Sequence, residues 1–249
     1  MTRDEKLTTT ATSIHLLETI ADRGGATLRD LVQETDLAKS TVHKHLSTLQ
    51  ANDLLVKRGE QYLLGLHHLS LGKRAVEMRE RYRVVEEEID ELRNRIEADI
   101  DFTVEENGRL ILVSEATRTM SESIFVPGTK FYLHNTAAGK AILASLPQKR
   151  VDEILDIHGL PERTNKTIQS RSVLLSEIDG VRQKGYALND GECVEGYRSV
   201  GSAIMNPDES VLGAISIGGP SYRIDRSRLE DNYAELVREA TRNLEKKLG

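Results

Sequence analysis

The chain has 249 residues, enough for two compact domains of about 100–150 residues, each with its own core. Its 38% hydrophobic and 30% charged residues exclude a disordered chain, and no apolar run of about 20 residues could span a bilayer. The formal net charge of −6 excludes a uniformly basic nucleic-acid binder. The segment from Met1 to Lys6 lacks the apolar core of a signal peptide, and a single cysteine, Cys193, excludes an intrachain disulfide. We therefore expect a cytoplasmic protein with no membrane partner.

The charges are unevenly distributed along the chain. Residues 37–74 contain six basic and two acidic side chains, whereas the chain from residue 76 onward contains 24 basic and 31 acidic ones. Only the N-terminal part therefore has the electrostatics to hold phosphates, unless the local surplus is a chance fluctuation along a mixed surface.

Three short helices are predicted near the N-terminus. Apolar residues recur at spacings of three and four over residues 10–23, and a Gly-Gly pair ends this first helix. Thr27 can cap a second helix, with Asp30 as a weak capping-box partner. A third helix begins near Lys39 and Ser40. Its apolar stripe consists of Val42, Leu46 and Leu49.

A β-hairpin is predicted directly after the third helix. Residues 54–56 and 61–64 are β-prone runs, and the polar segment Lys57-Arg58-Gly59-Glu60 separates them. This order of elements is that of a winged helix. The alternative, a three-helix bundle with a trailing loop, leaves the strand–turn–strand pattern without a purpose.

The side of the third helix that faces away from its apolar stripe is short, polar and cationic. Such a face suits the major groove, because lysine can donate to guanine O6 and N7 while serine and threonine can bond bases or phosphates. The two cations of the hairpin would lie near backbone phosphate or the adjacent minor groove. The alternative is an ordinary solvated helix face. The candidate DNA contacts are Lys39, Ser40, Thr41, His43, Lys44, Ser47, Lys57 and Arg58.

A long charged helix is predicted over residues 77–100. Its narrow apolar stripe has spacings of four, three, four and four, which suits a partner helix. We expect a linker and dimer contact, although a helix packed on its own C-terminal domain fits the pattern nearly as well. The predicted domains are thus 1–75, 76–100 and 101–249. The stripe comprises Val85, Ile89, Leu92, Ile96 and Ile100.

The remainder of the chain has mixed α and β patterns. Asn107-Gly108 is a strong hairpin turn signal between two apolar runs. Strands and helices follow without the regular alternation of a parallel sheet, which predicts an α+β domain built on an antiparallel sheet. Strands are expected at 102–106, 110–113, 123–126, 130–133, 186–188, 197–204 and 211–217, and helices at 136–145, 148–157, 173–184 and 226–248.

Several segments in the same order resemble the IclR family of regulators. Residues 37–46, LAKSTVHKHL, followed by YLLGL at 62–66 and LSLG at 69–72, are similar to its recognition helix, wing and post-wing segment. LHNTAAGKA at 133–141 resembles the family's LHxTAxGKA segment, and GAISIGGP at 213–220 its last strand. The resemblance implies an N-terminal winged helix-turn-helix and a C-terminal GAF-like effector-binding domain. It implies a DNA-binding transcriptional regulator that is not an enzyme and needs no cofactor.

The resemblance also implies an effector pocket. A helix that begins near Thr136 offers free N–H groups and a positive dipole end, which suits a carboxylate. Many relatives have cysteine where this chain has Ser199, so we expect a more polar pocket and a hydroxylated ligand such as a sugar acid. Without the family argument, Ser199 and Ser216 could be plain strand residues. The pocket positions by similarity are Ala137, Ala138, Asp190, Ser199, Ser216 and Gly218.

Other classes of function find weaker support. His134 or His158 near Asp190 or Cys193 could form a nucleophile–base set, but no hydrolase, metalloprotease or nucleotide-binding motif accompanies them. The adjacent His67-His68 pair does not place two imidazoles on one helical face, so no metal is expected. A dimeric ligand-binding module without DNA function is the remaining alternative. The expected partners are a pseudo-palindromic DNA operator, a small organic acid and a second copy of the chain, as a dimer or a pair of dimers.

Overall fold

The computed structural model describes residues 7–116 and 125–249. The chain divides into two compact units, Met1–Met78 and Arg79–Gly249. Residues 123 and 124 of the strand predicted at 123–126 lie outside the described residues, and Phe125 and Val126 are not part of a strand.

The N-terminal unit is a winged helix-turn-helix, as predicted. Its three-stranded sheet has the antiparallel order β1-β3-β2, with Leu55 opposite Leu64 in the wing hairpin and Ala26 opposite Tyr62. The elements are α1 (Thr8–Asp22), β1 (Ala26–Thr27), α2 (Leu28–Thr35), α3 (Lys39–Ala51), β2 (Leu55–Arg58), β3 (Gln61–Leu64) and α4 (His67–Glu77).

Local sequence signals explain how this unit is built. Thr27 Oγ1 accepts from the backbone N–H of Asp30 at 3.2 Å, and Asp30 Oδ2 accepts from the N–H of Thr27 at 2.9 Å, so the predicted capping box is present at the start of α2. The Thr27 hydroxyl also donates to Asp30 Oδ2 at 2.7 Å, and this bond together with that from the Thr27 N–H lowers the pKa of the Asp30 carboxyl. One core fills the space between the helices and the sheet. It includes Leu16, Ile20, Leu31, Val42, Leu46, Leu49, Leu55 and Tyr62.

The single helix predicted over 77–100 is wrong. The helix α4 ends at Glu77, a second helix α5 spans Glu80–Arg93, and strand β4 begins at Asp99. The first part of the apolar stripe, at 85, 89 and 92, is buried within the C-terminal unit, where α5 packs against the last helix and against β4. The last two positions of the stripe share its spacing by coincidence, since Ile96 follows the helix and Ile100 is a strand residue. The structure therefore agrees with the alternative given above, a helix whose apolar stripe packs on its own C-terminal domain.

The C-terminal unit is an α+β domain, as predicted. Its six-stranded sheet has the order β6-β5-β4-β9-β8-β7, and every neighbouring pair is antiparallel. The strands are β4 (Asp99–Glu106), β5 (Arg109–Ala116), β6 (Lys130–Phe131), β7 (Ala187–Asp190), β8 (Tyr197–Met205) and β9 (Val211–Pro220). The helices besides α5 are α6 (Ala137–Ser145), α7 (Gln148–His158), α8 (Arg171–Lys184), α9 (Arg226–Arg228), a π-helical turn (Leu229–Tyr233) and α10 (Ala234–Leu248).

The two faces of this sheet have different coverings. The helices α5 and α10 pack on one face, where the rings of Tyr82 and Phe102 meet edge to face with centroids 5.1 Å apart. The helix α6 packs across β8 and β9 on the other face, and α8 packs on α6. Because side chains alternate along a strand, Phe102 faces α5 whereas its neighbours Asp101 and Thr103 face the side of α6. The central strand β4 therefore turns polar groups toward α6.

The hairpin between β4 and β5 forms at the predicted turn. Asn107 and Gly108 have φ values of 55° and 77°, the left-handed conformation that a two-residue hairpin turn requires. His158 Nε2 lies 2.8 Å from the carbonyl oxygen of Asn107, which ties the end of α7 to this turn.

Candidate DNA-binding surface and effector cavity

The helix α3 presents one apolar and one polar face. Val42 and Leu46 are fully buried and Leu49 is 5% exposed, which fixes the rotation of the helix about its axis. His45 is turned toward α1, where its Nδ1 lies 2.8 Å from Ser13 Oγ. The six predicted contacts on α3 are brought together on its exposed side; they are Lys39, Ser40, Thr41, His43, Lys44 and Ser47.

The two cations of the wing are also exposed. Lys57 and Arg58 end strand β2, and the Nζ atom of Lys57 lies 5.3 Å from the centroid of the Tyr62 ring. This cation–π contact holds the ammonium group on the wing. Within the described part of this unit, the ion pairs are made by Arg23 and Lys73, so the lysines of α3 and the cations of the wing have no carboxylate partner. Their charges are available to an external anion.

A cavity lies between the start of α6 and the sheet of the C-terminal unit. The cavity volume is about 40 Å³, within about 450 Å³ of atom-free space that includes open solvent. Thr136 caps α6, since its Oγ1 accepts from the N–H of Gly139 at 3.0 Å. The first N–H groups of a helix have no partner inside it, so those of Ala137 and Ala138 remain for a ligand. The described lining residues are Asp101, Thr103, Leu110, Leu112, Phe125, Phe131, Thr136, Ala137, Ala138, Asn189, Cys193, Val194, Tyr197, Ser199 and Ser216.

Four of the six predicted effector positions meet at this cavity. Ala137 and Ala138 lie at the helix start, and Ser199 and Ser216 lie on β8 and β9. Both serines are buried, at 6% exposure each, and each lines the cavity.

The structure does not place Asp190 on the cavity. Its carboxylate pairs with Arg198 at 2.5 Å and with Lys166 at 3.7 Å on the outer side of β7, and the hydrogen bond from Arg198 lowers the pKa of the Asp190 carboxyl. The neighbouring Asn189 lines the cavity instead. Successive strand residues point to opposite faces of the sheet, so Asn189 faces the cavity while Asp190, one residue later, faces the outer side.

Gly218 does not line the cavity either, but it shapes one wall. A Cβ at this position would lie 3.1 Å from Cε1 of Tyr197, so the ring of Tyr197 passes over β9 where Gly218 has no side chain. The Tyr197 hydroxyl donates to Asp99 Oδ2 at 3.2 Å. The glycine therefore makes room for a tyrosine that does line the cavity.

Sequence reasoning missed the acid and the aromatic rings of the cavity. The ring of Phe125 meets those of Phe131 and Tyr197 edge to face, with centroids 5.2 and 5.4 Å away. Asp101 is brought opposite Ser216 by the pairing of β4 with β9. The alternation Asp99-x-Asp101-x-Thr103, with apolar residues at the intervening positions, was the available signal for a polar inner face.

The candidate nucleophile–base set is not assembled. His134 Nε2 lies 3.2 Å from the Pro161 carbonyl oxygen, and burial lowers the pKa of the His134 imidazole. His158 is bound to the turn at Asn107, and neither histidine lines the cavity that contains Cys193. Burial raises the pKa of the Cys193 thiol to about 11, which keeps it protonated near neutral pH. Across residues 7–116 and 125–249, no group of three or more His, Cys, Asp or Glu side chains is arranged to hold a metal ion.

No helix in the described part of the chain is both long enough and apolar enough to cross a membrane.

Comparisons with known proteins cover both units. Residues 13–59 match the family model of the IclR helix-turn-helix domain, and residues 74–246 match that of the bacterial transcriptional regulator IclR C-terminal domain. The chain is 30% identical to the "Probable HTH-type transcriptional regulator ArcR" of Halobacterium salinarum over 98% of this chain and 94% of that relative. It is 28% identical to the transcriptional repressor IclR of Escherichia coli, over 91% of this chain and 85% of the relative.

Solved structures share the fold over nearly the whole length. The IclR crystal structure from Thermotoga maritima matches with a TM-score of 0.78 at 21% identity, covering 98% of this chain and all of the other. Proteins of this kind are transcriptional regulators and not enzymes, in agreement with the expectation from the sequence. The matched domain models and the relative at 30% identity together establish that the chain belongs to the IclR family of transcriptional regulators, with an N-terminal helix-turn-helix DNA-binding domain.

Proposed function

We propose that this regulator reads a pseudo-palindromic operator with α3 and responds to a small organic acid bound in the cavity of its C-terminal unit. The observation that carries the DNA part is the exposed face of α3, on which six polar or cationic side chains lie away from the buried apolar stripe.

The recognition helix supplies both kinds of contact that specific DNA binding needs. Lys44 lies near the middle of the exposed face, where its ammonium can reach guanine O6 and N7. Lys57 and Arg58 on the wing fit phosphate contacts, which position the protein without reading sequence. Because these positive charges have no carboxylate partner in the described part of the unit, they can attract DNA phosphates although the rest of the chain carries a net negative charge.

The cavity suits a carboxylate at the start of α6. Ala137 and Ala138 line the cavity with only methyl side chains, and the dipole of α6 favours an anion at this end. The hydroxyls of Ser199 and Ser216 add donors and acceptors, which favours a hydroxylated acid such as a sugar acid. One structural relative, an IclR homolog of Microbacterium hydrocarbonoxydans with a TM-score of 0.81 and 19% identity, was solved in complex with 4-hydroxybenzoate, also an organic acid. The match covers 96% of this chain and 98% of the chain in that structure.

We place the dimer contact on α4 and the residues that flank it. The stripe of α5 is buried inside the C-terminal unit, whereas Leu66, Leu69 and Met78 are 85%, 71% and 83% exposed. Large apolar side chains this exposed along one short helix and its flanks favour a partner surface. A dimer would present two copies of α3 to half-sites about one helical turn apart or multiples of it. Pairing of two dimers into a tetramer is compatible with the same surface. Since its target is chromosomal DNA, we also place the protein in the cytoplasm.

Selection of genomic DNA fragments by the purified full chain at moderate salt tests this proposal. We expect enrichment of a pseudo-palindrome, with affinity that falls as salt rises because phosphate contacts release counterions. Lys44→Ala should weaken binding to that sequence by about tenfold or more, since a base contact contributes about 1–3 kcal/mol. Lys149→Ala, an exposed lysine of α7, is the matched control and should bind as the wild type does.

Two results would count against the DNA proposal. Unchanged binding by Lys44→Ala would refute the role of the exposed face of α3. No enrichment, with or without added cell metabolites, would favour a dimeric ligand-binding module without DNA function.

A further inference from the structure

The cavity holds a buried carboxyl group that the protein itself does not satisfy. Asp101 is 9% exposed and its side chain lines the cavity. One oxygen, Oδ2, accepts a long hydrogen bond of 3.4 Å from Ser216 Oγ, and the other, Oδ1, has no hydrogen-bond partner. A buried acceptor left unpaired costs about as much as a lost hydrogen bond, so such a group in a ligand cavity points to a partner on the ligand.

The surroundings of Asp101 are acidic. Glu115 lies opposite it on β5 and Asp99 lies two residues before it on the same face of β4. Burial, followed by the charges of Glu115 and Asp99, raises the pKa of the Asp101 carboxyl to about 8, while the hydrogen bond from Ser216 lowers it. The hydroxyl of Tyr197, from β8, also faces this cluster, and Arg223 and Arg228 line a neighbouring pocket together with Asp99. This end of the cavity therefore favours a hydrogen-bond donor and disfavours an anion.

The register of the sheet places this acid opposite the anion end of the cavity. Asp101 pairs with Ser216, and Ser216 pairs with Gly201, so the three residues form one row across β4, β9 and β8. Gly201 abuts the start of α6, since a Cβ there would lie 2.7 Å from Ala138 N. Adjacent strands are about 4.8 Å apart, so the row spans about 10 Å. A small molecule can reach both ends, after allowing about 3 Å for the hydrogen bond at each.

We infer that Asp101 recognises a hydrogen-bond donor on the effector, which is therefore a small carboxylic acid that also carries a hydroxyl or an ammonium group. The inference rests on the proposed function, because it assumes that the carboxylate of the effector binds at α6. The apolar residues Leu110 and Leu112 on β5 and Phe131 on β6 also line the cavity, beyond the strand of Asp101, and suit a hydrocarbon part of the ligand. A simple acid of the same length would leave Asp101 unpaired and would bind more weakly.

Calorimetric titration of the full chain with matched acids tests the inference. The probes are straight-chain acids from propanoate to hexanoate, each with hydrogen, hydroxyl or ammonium on the terminal carbon. In at least one triplet, we expect the substituted acids to bind about tenfold or more tightly than the unsubstituted one, since one hydrogen bond to a buried carboxyl accounts for such a factor. The comparison among probes uses only the wild-type protein and does not depend on the folding of a variant.

The substitution Asp101→Asn then assigns the preference to this residue. A bound ammonium group favours the ionised form of the Asp101 carboxyl, whereas asparagine keeps an acceptor but cannot ionise. The ammonium acid should therefore lose about tenfold in affinity while the hydroxy acid loses less. The matched control is Asp208→Asn, an exposed aspartate in the turn between β8 and β9, which should bind every probe as the wild type does.

The outcomes separate the two proposals. Unsubstituted acids that bind as tightly as their substituted partners would overturn the role of Asp101 but leave the carboxylate site in place, as would an unchanged ranking in Asp101→Asn. If no probe binds the wild type, the carboxylate site at α6 is wrong, and the inference fails with it.

Discussion

Replacing Asp101 by asparagine should change how the stability of the C-terminal unit depends on pH. The carboxyl has a pKa of about 8 in the folded protein, compared with 3.8 for an exposed aspartate. Between these values the folded state keeps the proton that the unfolded state releases, so the free energy of unfolding falls as pH rises. Each pH unit in this window costs up to about 1.4 kcal/mol, so about 2.7 kcal/mol is lost from about pH 5 to about pH 7. Asparagine does not titrate, so the variant lacks this pH-dependent contribution to the free energy of unfolding.

The assay is differential scanning calorimetry of the full-length wild type and variant across this pH range. Unfolding of the C-terminal unit is identified by hydrogen exchange in peptides that cover β4 and β9. The difference in unfolding free energy between the two proteins cancels the titration of all other groups. We expect the wild type to lose stability relative to Asp101→Asn steadily as pH rises.

Asp208→Asn is the control for this measurement. The Asp208 carboxylate accepts from the Ser210 hydroxyl at 2.6 Å and from its N–H at 3.1 Å, which lowers the pKa of the Asp208 carboxyl. A lowered pKa gives stability that is present above the unfolded value and is lost as pH falls, so this difference should change only below about pH 4. A difference between wild type and Asp101→Asn that stays flat from about pH 5 to about pH 7 would refute the reasoning, because Asp101 would then ionise as readily in the folded state as in the unfolded one.

Three further predictions concern the packing at α6, a buried ion pair of the C-terminal unit and a cation of the wing. Gly201→Ala should destabilise the C-terminal unit by about 1–3 kcal/mol in calorimetry, because the added Cβ would meet the backbone of α6. Gly180 has open space around it on α8, so Gly180→Ala should stabilise the unit by about 0.5–1 kcal/mol. Equal effects of the two substitutions would contradict the packing at α6. Lys140→Met should lower the free energy of unfolding by about 3–5 kcal/mol, because the lysine is 1% exposed and its Nζ lies 2.7 Å from Glu192 Oε1. The double variant with Glu192→Gln should lose less stability than the two single variants added together, and additive losses would contradict the pairing. Lys57→Ala should reduce the slope of log affinity for DNA against log salt by about 0.9, and an unchanged slope would exclude a phosphate contact at the wing.

Short-range signals in the sequence predicted much of the fold correctly. The capping box at Thr27 and Asp30 and the Asn107-Gly108 turn are formed by neighbouring residues, so their geometry is fixed within a few positions of the chain. The last helix, predicted over 226–248, was equally accessible because its apolar stripe has a helical period; the structure adds a π-helical turn near its start.

The helix predicted over 77–100 shows where periodicity fails. The spacing of Val85, Ile89 and Leu92 indicates an apolar face but does not say what covers it. Packing within the C-terminal unit decided that question, and the same helical spacing continued by chance into Ile96 and Ile100, after the helix had ended. A one-dimensional pattern does not distinguish a face buried within its own unit from one buried by a partner.

The sequence by itself determined the order of elements, the exposed cationic face of α3 and, through its motifs, the family. Those features depend on residue types at fixed spacings along the chain. Only the tertiary structure decided the content of the cavity, because strand register brings Asp101 beside Ser216 from 115 positions away. It also decided that Asn189 rather than Asp190 faces inward, since a single step along a strand reverses the face and only the pairing of the sheet fixes that step.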